Sequence, residues 1–298
     1  MTRSYGRADN TESAAHWIST KMTKKHDTGA RMRLAYDREG GVLAAFSGKV
    51  ADYAAARPDY PAPLFETLIA TCGLTDKAVI ADLGSGTGLL TQGFLQRGFR
   101  VFAVEPNDAM RSAGDHLLGK FPEYRSIDGS AESIPLESAS VDLVTAAQAF
   151  HWFDIDRART ECLRILRPTG NVALIWNDRV FEDSLHRALD EIFAEFGGAK
   201  RAALVSHEKG RSISEFFGST IPKEFSWPHE HRLGEEGLVS LVLSRSYMPA
   251  RESAAGKEIA LRVSELFRKF ANADLVSVRY RTVARVGRPA PSGKTGSQ

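Results

Sequence analysis

The sequence predicts an α/β fold built on a doubly wound, mostly parallel sheet. Three observations carry that expectation. The apolar run Ala78–Ala81 ends in an acid, Asp82, and turns through Gly84, Gly86 and Gly88 into an apolar segment of helical pattern. A second apolar run, Val101–Val104, also ends in an acid, Glu105. Short apolar runs then keep alternating with amphipathic stretches up to Asn177, the pattern of a parallel sheet covered on both faces. In such sheets ligands lie outside the carboxyl ends of the strands, so both acids stand where a ligand would bind.

In chain order, residues 1–40 are polar, carry scattered Lys and Arg and lack periodicity. They read as a loosely ordered extension with a short helix near residues 14–22. A transit peptide is the alternative, which the acids in the segment disfavour. Pro63 opens a helix whose Leu64, Phe65, Leu68 and Ile69 share one face. A strand over 78–83 leads to a helix over 89–96 closed by Gly98, and a strand over 100–105 to a helix over 107–119. A short strand near 124–128 and a strand over 141–147 follow. A helix over 156–166 is stopped by Pro168 and Gly170 before a strand over 171–176. From residue 181 the pattern changes: helices over 181–196 and 235–243, a polar strand over 224–232, a helix over 257–270 and a last strand over 275–286. Phe181, Leu185, Leu189 and Phe193 mark the apolar face of the first of these helices, and Leu238 and Leu241 that of the second. The end, from Gly287, is rich in Pro, Gly and Ser and reads as disordered. One domain over 41–287 and a tail over 288–298 complete the division.

Composition narrows the function. With 298 residues and 43% apolar content the chain can bury a sizeable core. A net charge of +2 is too mild for a nucleic-acid surface. No apolar run is long enough for a membrane span, and no secretory signal opens the chain. The two cysteines, Cys72 and Cys162, fall on apolar helix positions without metal-ligand spacing, which reads as buried free thiols in a cytoplasmic protein. No Asp, Glu and His set has metal-ligand spacing, so no metal is implied. A monomer or homodimer is expected.

The glycine spacing bears on the ligand. The turn reads G-x-G-x-G, and Leu89 stands where a dinucleotide fold places its third glycine. A P-loop is also missing, and Asp82 would repel a diphosphate while suiting a cationic ligand. The stretch AVIADLGSGTGLLT, residues 78–91, resembles motif I of the class I S-adenosylmethionine-dependent (SAM-dependent) methyltransferases. GSAESIPL at 129–136, with the following strand and AFHWFD, resembles the adenine-binding turn and fourth strand of that family. RTECLRILRPTGNVALIW at 159–176 resembles its next helix, turn and strand. YAAARPDYP at 53–61 is similar to the ubiquinone-methyltransferase-like and trans-aconitate-methyltransferase-like subgroup. The resemblance spans residues 45–180 in the family's order. It implies a Rossmann-like sheet of seven strands, an antiparallel pair at the sheet edge, and a helical cap inserted at 180–255 over the substrate.

For cofactor binding, the resemblance implies Asp82, Gly84, Ser85, Gly86 and Gly88 around the turn. Glu105 and Pro106 would meet the ribose. Ser130, Ala131 and Glu132 would frame the adenine, with Gln148 beyond them. The family more often has Asp at position 130, so this serine weakens one adenine contact, and Glu132 either frames the base or caps the next turn. Arg57 would pair with the cofactor carboxylate or lie on the surface. His151 is a general base or a pocket-shaping side chain, and Tyr53 contacts the methionine part of the cofactor or the reacting centre, with packing at a helix start as its alternative. Trp152, Trp176, Arg245 and Tyr247 are the expected acceptor contacts. Core packing is the alternative for Trp152, and a salt bridge for Arg245. The implied reaction is methyl transfer (EC 2.1.1.-) to a small-molecule carboxylate or hydroxyl, with S-adenosylhomocysteine as product. Carbon methylation of a ring and non-catalytic binding of SAM or its product are the rival readings. A nicotinamide oxidoreductase is the third, opposed by the missing glycine.

Overall fold

The computed structural model describes residues 34–37, 41–209 and 213–291. At its centre is β1 (Val79–Leu83), buried at every position as a strand covered on both faces must be. Val79, Ala81 and Leu83 face one apolar layer and Ile80 the other, the two-residue period of a strand. β1 pairs in parallel with β2 (Arg100–Val104) and with β4 (Val141–Ala147). β3 (Tyr124–Ile127) extends the β2 side, and β5 (Leu166–Arg179) the β4 side. Beyond β5 lie β7 (Val276–Gly287), antiparallel to both its neighbours, and the edge strand β6 (Lys223–Leu233). The sheet has seven strands in the order β3-β2-β1-β4-β5-β7-β6, a Rossmann-like doubly wound architecture. Strand order reverses between β1 and β4, so a crevice opens where those strands end.

One face is covered by α3 (Ala62–Cys72) and α4 (Leu89–Leu95), the other by α6 (Ile155–Ile165). α5 (Asp108–Leu118) follows β2 and is capped by the Asn107 side chain, which accepts from Met110 N. Two short helices precede the sheet: α1 (Gly41–Ser47) and α2 (Val50–Ala56). After β5 come α7 (Ser184–Phe196), α8 (Gly198–Lys209) and α9 (Ile213–Phe217). α10 (Glu235–Leu243) and α11 (Ala254–Phe270) lie between β6 and β7. No helix among the described residues is long and apolar enough to cross a membrane.

The structure departs from the sequence reading at several places, each with a physical cause. β5 begins at Leu166, directly after α6, because the Pro168 and Gly170 stretch is taken up as an irregularity in its pairing with β4. The helix expected from 181 starts at Ser184, since Asp183 accepts from the amides of Leu185 and His186 and fixes the first turn. Phe181 is left outside it and 57% exposed. α11 starts three residues before its expected position, capped by Ser253. α8 and α9 were not readable as helices. The covering layer is also not one inserted stretch, since β6 divides it and the N-terminal helices complete it. Lys49 Nζ on the α1–α2 turn donates to the carbonyls of Leu243 (2.8 Å) and Met248 (2.7 Å), and Arg251 pairs with Asp52 of α2.

Within the segment expected to be loosely ordered, residues 34–37 form a helical turn. Tyr36 is fully buried there and hydrogen-bonded to Ser246 at 2.9 Å. The short helix expected near 14–22 lies outside the described residues. At the other end, the start of the expected disordered tail is fastened: Arg288 donates to the carbonyls of Arg167 and Gly170, and Ala290 N to Phe217 O.

Candidate functional site

Two cavities open at the carboxyl ends of the central strands. The first holds about 240 Å³. Its floor is the turn after β1, where Gly84, Gly86 and Gly88 all have positive φ (65°, 58° and 88°). A side chain at Gly84 would stand 2.6 Å from the Ala149 Cβ, so the turn and the loop after β4 can approach only with glycine there. Gly86 faces open space except for the Tyr53 ring at 3.9 Å, and its amide donates to Glu105 Oε2 at 2.9 Å. The other Glu105 oxygen accepts from Asn107 N at 2.8 Å. Glu105 therefore stands clamped between two turns at the cavity wall. Burial pushes its carboxyl pKa up while the two amides oppose that rise.

The opposite wall is the turn at 130–133, closed by reciprocal backbone bonds between Ser130 and Ser133. Ser130, Ala131 and Glu132 line the cavity, as do Pro106, Trp152 and Phe153. Leu43 and Phe46 of α1 form the roof. Asn107 ties the roof down, its amide donating to Leu43 O at 2.7 Å and to Ser47 Oγ at 3.1 Å. Phe46 meets Trp152 edge-on at 5.8 Å, and Tyr36 meets the same indole at 5.2 Å.

Asp82 lies beside this cavity, 1% exposed. Its carboxylate accepts from the hydroxyls of Thr91 (2.7 Å) and Thr145 (2.8 Å). Desolvation raises its pKa to about 6 despite those two bonds. It borders a small space shared with Ser85, Tyr53 and Tyr60.

The second cavity, about 390 Å³, is lined by the end of β5, by α8 and by the turn after α10. Tyr53 and Gln148 line both cavities and so mark their junction. Gln148 holds a left-handed conformation (φ 57°), rare for a residue with a side chain. Its amide bonds to Ile175 O at 2.9 Å. Trp176, Asn177, Arg245 and Tyr247 line the second cavity, as does Arg57.

Several placements differ from the sequence reading. Arg57 faces the second cavity and not the first; its guanidinium donates to Ser244 Oγ (3.0 Å) and rests 4.7 Å from the Tyr53 ring. Trp152, expected against the acceptor, lines the first cavity. His151 lines neither; it is buried with its ring 4.8 Å from that of Trp152. Gly88 lines neither, and a side chain there would stand 2.3 Å from Leu118, so packing requires that glycine. Asp82 approaches the ligand space only through the small space beside the turn. Glu132 caps: its Oε1 accepts from Asp154 N at 2.8 Å. Sequence reasoning missed Leu43, Phe46 and Asn107 in the first cavity and Arg179, Arg201 and Tyr280 in the second. Asn107 carried a readable signal, a capping residue two positions after a strand-end acid.

A carboxylate fixed at the end of the second strand, a glycine turn beside it and an adjoining cavity lined by Leu43, Phe46, Met110 and Trp152 place a ligand site at the topological switch point of an α/β sheet. A family profile described as a methyltransferase domain matches residues 81–174. An uncharacterized methyltransferase of Mycobacterium tuberculosis is 32% identical over 248 residues, 80% of this chain and 93% of that protein. One of Schizosaccharomyces pombe is 30% identical over 254 residues, 83% of this chain and 97% of that protein. A solved structure assigned as a type II methyltransferase from Anaeromyxobacter dehalogenans is 25% identical with a TM-score of 0.58, covering 79% of this chain and 99% of that one. The malonyl-[acyl-carrier protein] O-methyltransferase of Methylococcus capsulatus is 38% identical over 101 residues, 32% of this chain and 36% of that protein. The chain belongs to the SAM-dependent methyltransferases.

The residues present fit that cofactor. Glu105 can accept from two ribose hydroxyls while keeping its backbone bonds. Phe46, Ser130 and Ala131 line one cavity with Glu105, where an adenine fits. Asp82, buried beside two neutral hydroxyls, gains from a ligand cation. Among the described residues no group of three or more His, Cys, Asp and Glu is placed to hold a metal.

Proposed function

We propose that the protein methylates an oxygen of a small-molecule acceptor, a carboxylate in preference to a hydroxyl, held in the second cavity. The observation that carries this is the pair of cavities meeting at Tyr53 and Gln148: one suits a nucleoside, and the other is large enough for a separate acceptor. The second cavity also favours an enzyme over a protein that only binds the cofactor.

Under this reading Glu105 holds the ribose, with Pro106 against it. Ser130 and Ala131 receive the adenine, and Asp82 and Ser85 attract the amino-acid end. When bound, SAM supplies a methyl on a sulfonium sulfur; the acceptor oxygen forms the new O–C bond as the C–S pair returns to sulfur, leaving S-adenosylhomocysteine. The chain's own task is alignment and water exclusion, worth at most about 7–11 kcal/mol. Phe46 and Trp152 pack edge-on beside Tyr53 on the cofactor side of the junction.

The titratable groups around the second cavity support a carboxylate. Among the described residues they are arginines, tyrosines and Asp178. Burial pushes the Tyr53 and Tyr60 phenols up, so they stay protonated and serve as donors, not bases. A carboxylate arrives already ionised and needs no base. The M. capsulatus relative, an O-methyltransferase, is consistent with oxygen as the nucleophile. The 53–61 segment supports placing the chain near the ubiquinone- and trans-aconitate-methyltransferase-like subgroup. Two free cysteines, with Cys72 pushed up to about 11 and Cys162 to about 12 by burial, support a cytoplasmic location.

Calorimetric titration with S-adenosylhomocysteine tests the cofactor assignment. Wild type binds. Glu105→Gln, which keeps the shape and removes the charge, binds about 10- to 150-fold more weakly, the loss of one to two charge-assisted bonds. Binding of NADH in place of S-adenosylhomocysteine overturns the reading.

A further inference from the structure

Lys49 lines neither cavity, yet it is bonded to the walls of both. Its backbone amide donates to Phe46 O at 2.9 Å, and its carbonyl accepts from Tyr53 N at 2.8 Å. The first bond reaches the roof of the cofactor cavity, and the second reaches the junction. The residue is 9% exposed, and its side chain meets the turn that follows α10. There the ammonium donates to Leu243 O at 2.8 Å, to Met248 O at 2.7 Å and to Pro249 O at 3.4 Å.

Three carbonyls use the full donor capacity of an ammonium. Leu243 is the last residue of α10, where helix carbonyls lack partners and the helix dipole favours a cation. Met248 and Pro249 lie at the other end of the same turn, so one ammonium clasps the turn 244–248 at its base. Burial lowers the Lys49 pKa to about 8, with Asp52 opposing the fall and Lys200 and Arg57 adding to it, so the group is charged at neutral pH. Asp52 itself is engaged by Arg251. The clasped turn is part of the acceptor wall: Arg245 and Tyr247 line the second cavity and not the first. Two more side chains of the N-terminal segment grip it. Arg57 Nε donates to Ser244 Oγ at 3.0 Å, and the Tyr36 and Ser246 hydroxyls share a bond of 2.9 Å.

We propose that Lys49 is a positioning residue that couples the two cavities: cofactor binding fixes Phe46 and Tyr53, and the clasped turn passes that order to Arg245 and Tyr247 in the acceptor wall. This rests on the two-cavity methyltransferase reading above. The path is contiguous, from the roof through the Lys49 backbone and side chain to the turn, as coupling between sites requires. An acceptor then meets a wall already in place, so less ordering opposes its binding. Coupling is reciprocal, so an acceptor that holds Arg245 and Tyr247 also slows release of the cofactor. Without the ammonium, the buried carbonyls of Leu243 and Met248 lose their partner, and the turn no longer follows the roof.

The test is amide hydrogen exchange on the full chain at pH 7, read by mass spectrometry without and with saturating S-adenosylhomocysteine. In wild type we expect the ligand to slow exchange about threefold or more at 84–88, beside its proposed site, and also at 244–248, which lie outside the cofactor cavity. The Ser244, Arg245 and Met248 amides report the second effect, since they donate to Ser240 O, Val242 O and Arg245 O. Lys49→Met, which keeps a long apolar stem and removes the ammonium, should retain the slowing at 84–88 and lose it at 244–248. Gly93→Ala, which crowds Phe65 from α4, should retain both. Loss at 244–248 in Gly93→Ala as well would make the effect one of general stability and overturn the proposal. Retention at 244–248 in Lys49→Met also overturns it, as does absence of slowing there in wild type, a result that needs no variant to fold. Absence of slowing at 84–88 in wild type sinks the cofactor reading instead, so the two failures are distinguishable.

Discussion

Replacing Asp82 with asparagine should make the ligand-free protein more stable at neutral pH while weakening its cofactor binding. The carboxyl group is 1% exposed, and burial lifts its pKa from an ordinary 3.8 to about 6. The folded value lies above the unfolded one, so the stability this group allows is fully present below pH 3.8 and is lost as pH rises through about 6. A rise of about two units corresponds to roughly 3 kcal/mol. Wild type therefore carries a deficit of that order at pH 7. Asparagine has the same shape and no charge. The hydroxyls of Thr91 and Thr145 donate to the carboxylate at 2.7 and 2.8 Å, and each can turn to accept from an amide instead. Asp82→Asn should then gain up to about 3 kcal/mol at pH 7 and nothing near pH 4, a Tm rise of roughly 5 °C or more that vanishes in acid.

Cofactor binding should move the other way. A cationic ligand end draws on the ionised carboxylate, so the variant loses about 1.5–3 kcal/mol of affinity, roughly 10- to 150-fold. Wild-type affinity should also fall about tenfold for each pH unit below 6, as protonation removes the competent form, and the variant should lack this dependence. Thermal melts and calorimetry with S-adenosylhomocysteine across pH 4–8 read both effects. The reasoning is refuted if Asp82→Asn is less stable than wild type at pH 7, or if it binds S-adenosylhomocysteine with unchanged affinity.

Two further outcomes follow from packing. Gly93→Ala would place a carbon 2.0 Å from the Phe65 Cζ, and that ring is held edge-on to Phe94 at 5.1 Å. The variant should lose about 1–3 kcal/mol in a denaturant titration despite alanine's better helix propensity, and an unchanged midpoint would mean that the ring moves aside freely. Asn107→Ala removes the α5 cap, worth about 1 kcal/mol, together with both bonds to α1. Dissociation of S-adenosylhomocysteine, followed by stopped-flow, should be several-fold faster, and an unchanged rate would show that α1 does not hold the ligand in.

The sheet was legible because its strands are short apolar runs ended by residues that cannot extend them. Ala78–Ala81 runs into Asp82, one residue before β1 ends, and Val101–Val104 closes on Glu105, and both acids stand beside the proposed ligand space. The glycine turn was legible for the same local reason, although it concealed two different roles: Gly86 faces the cavity, whereas Gly88 makes room for Leu118. The roof was not legible. Leu43 and Phe46 lie in a weakly patterned stretch, and they are fastened to the site by the side chain of Asn107 and by the Phe46 ring against Trp152. The arginines of the second cavity were harder still, since Arg57, Arg179, Arg201 and Arg245 look like ordinary surface residues in sequence. They converge because β5 runs on to Arg179 and because Asp190 on α7 fixes both Arg179 and Arg201. Trp152, expected as an acceptor contact or a core aromatic, lines the first cavity, because position after a strand fixes which end of the sheet a residue occupies but not which side of Tyr53 it faces.

The two cavities carry opposite charge, and that division suits the proposed chemistry. Asp82 and Glu105 lie on the side of a cationic ligand, and the four guanidiniums on the side of an anionic one. Between them stand Tyr53, kept protonated by burial, and Gln148, both uncharged. When an anionic oxygen meets a sulfonium carbon, both charges diminish on the way to the transition state. Water stabilises the separated ions more than the partly neutralised pair, so a dry junction favours the reaction. Arg57, with its guanidinium 4.7 Å from the Tyr53 ring, is the cation that adjoins this junction, on the anionic side. On this argument the neutrality of Tyr53 and Gln148 matters as much as the charges they divide.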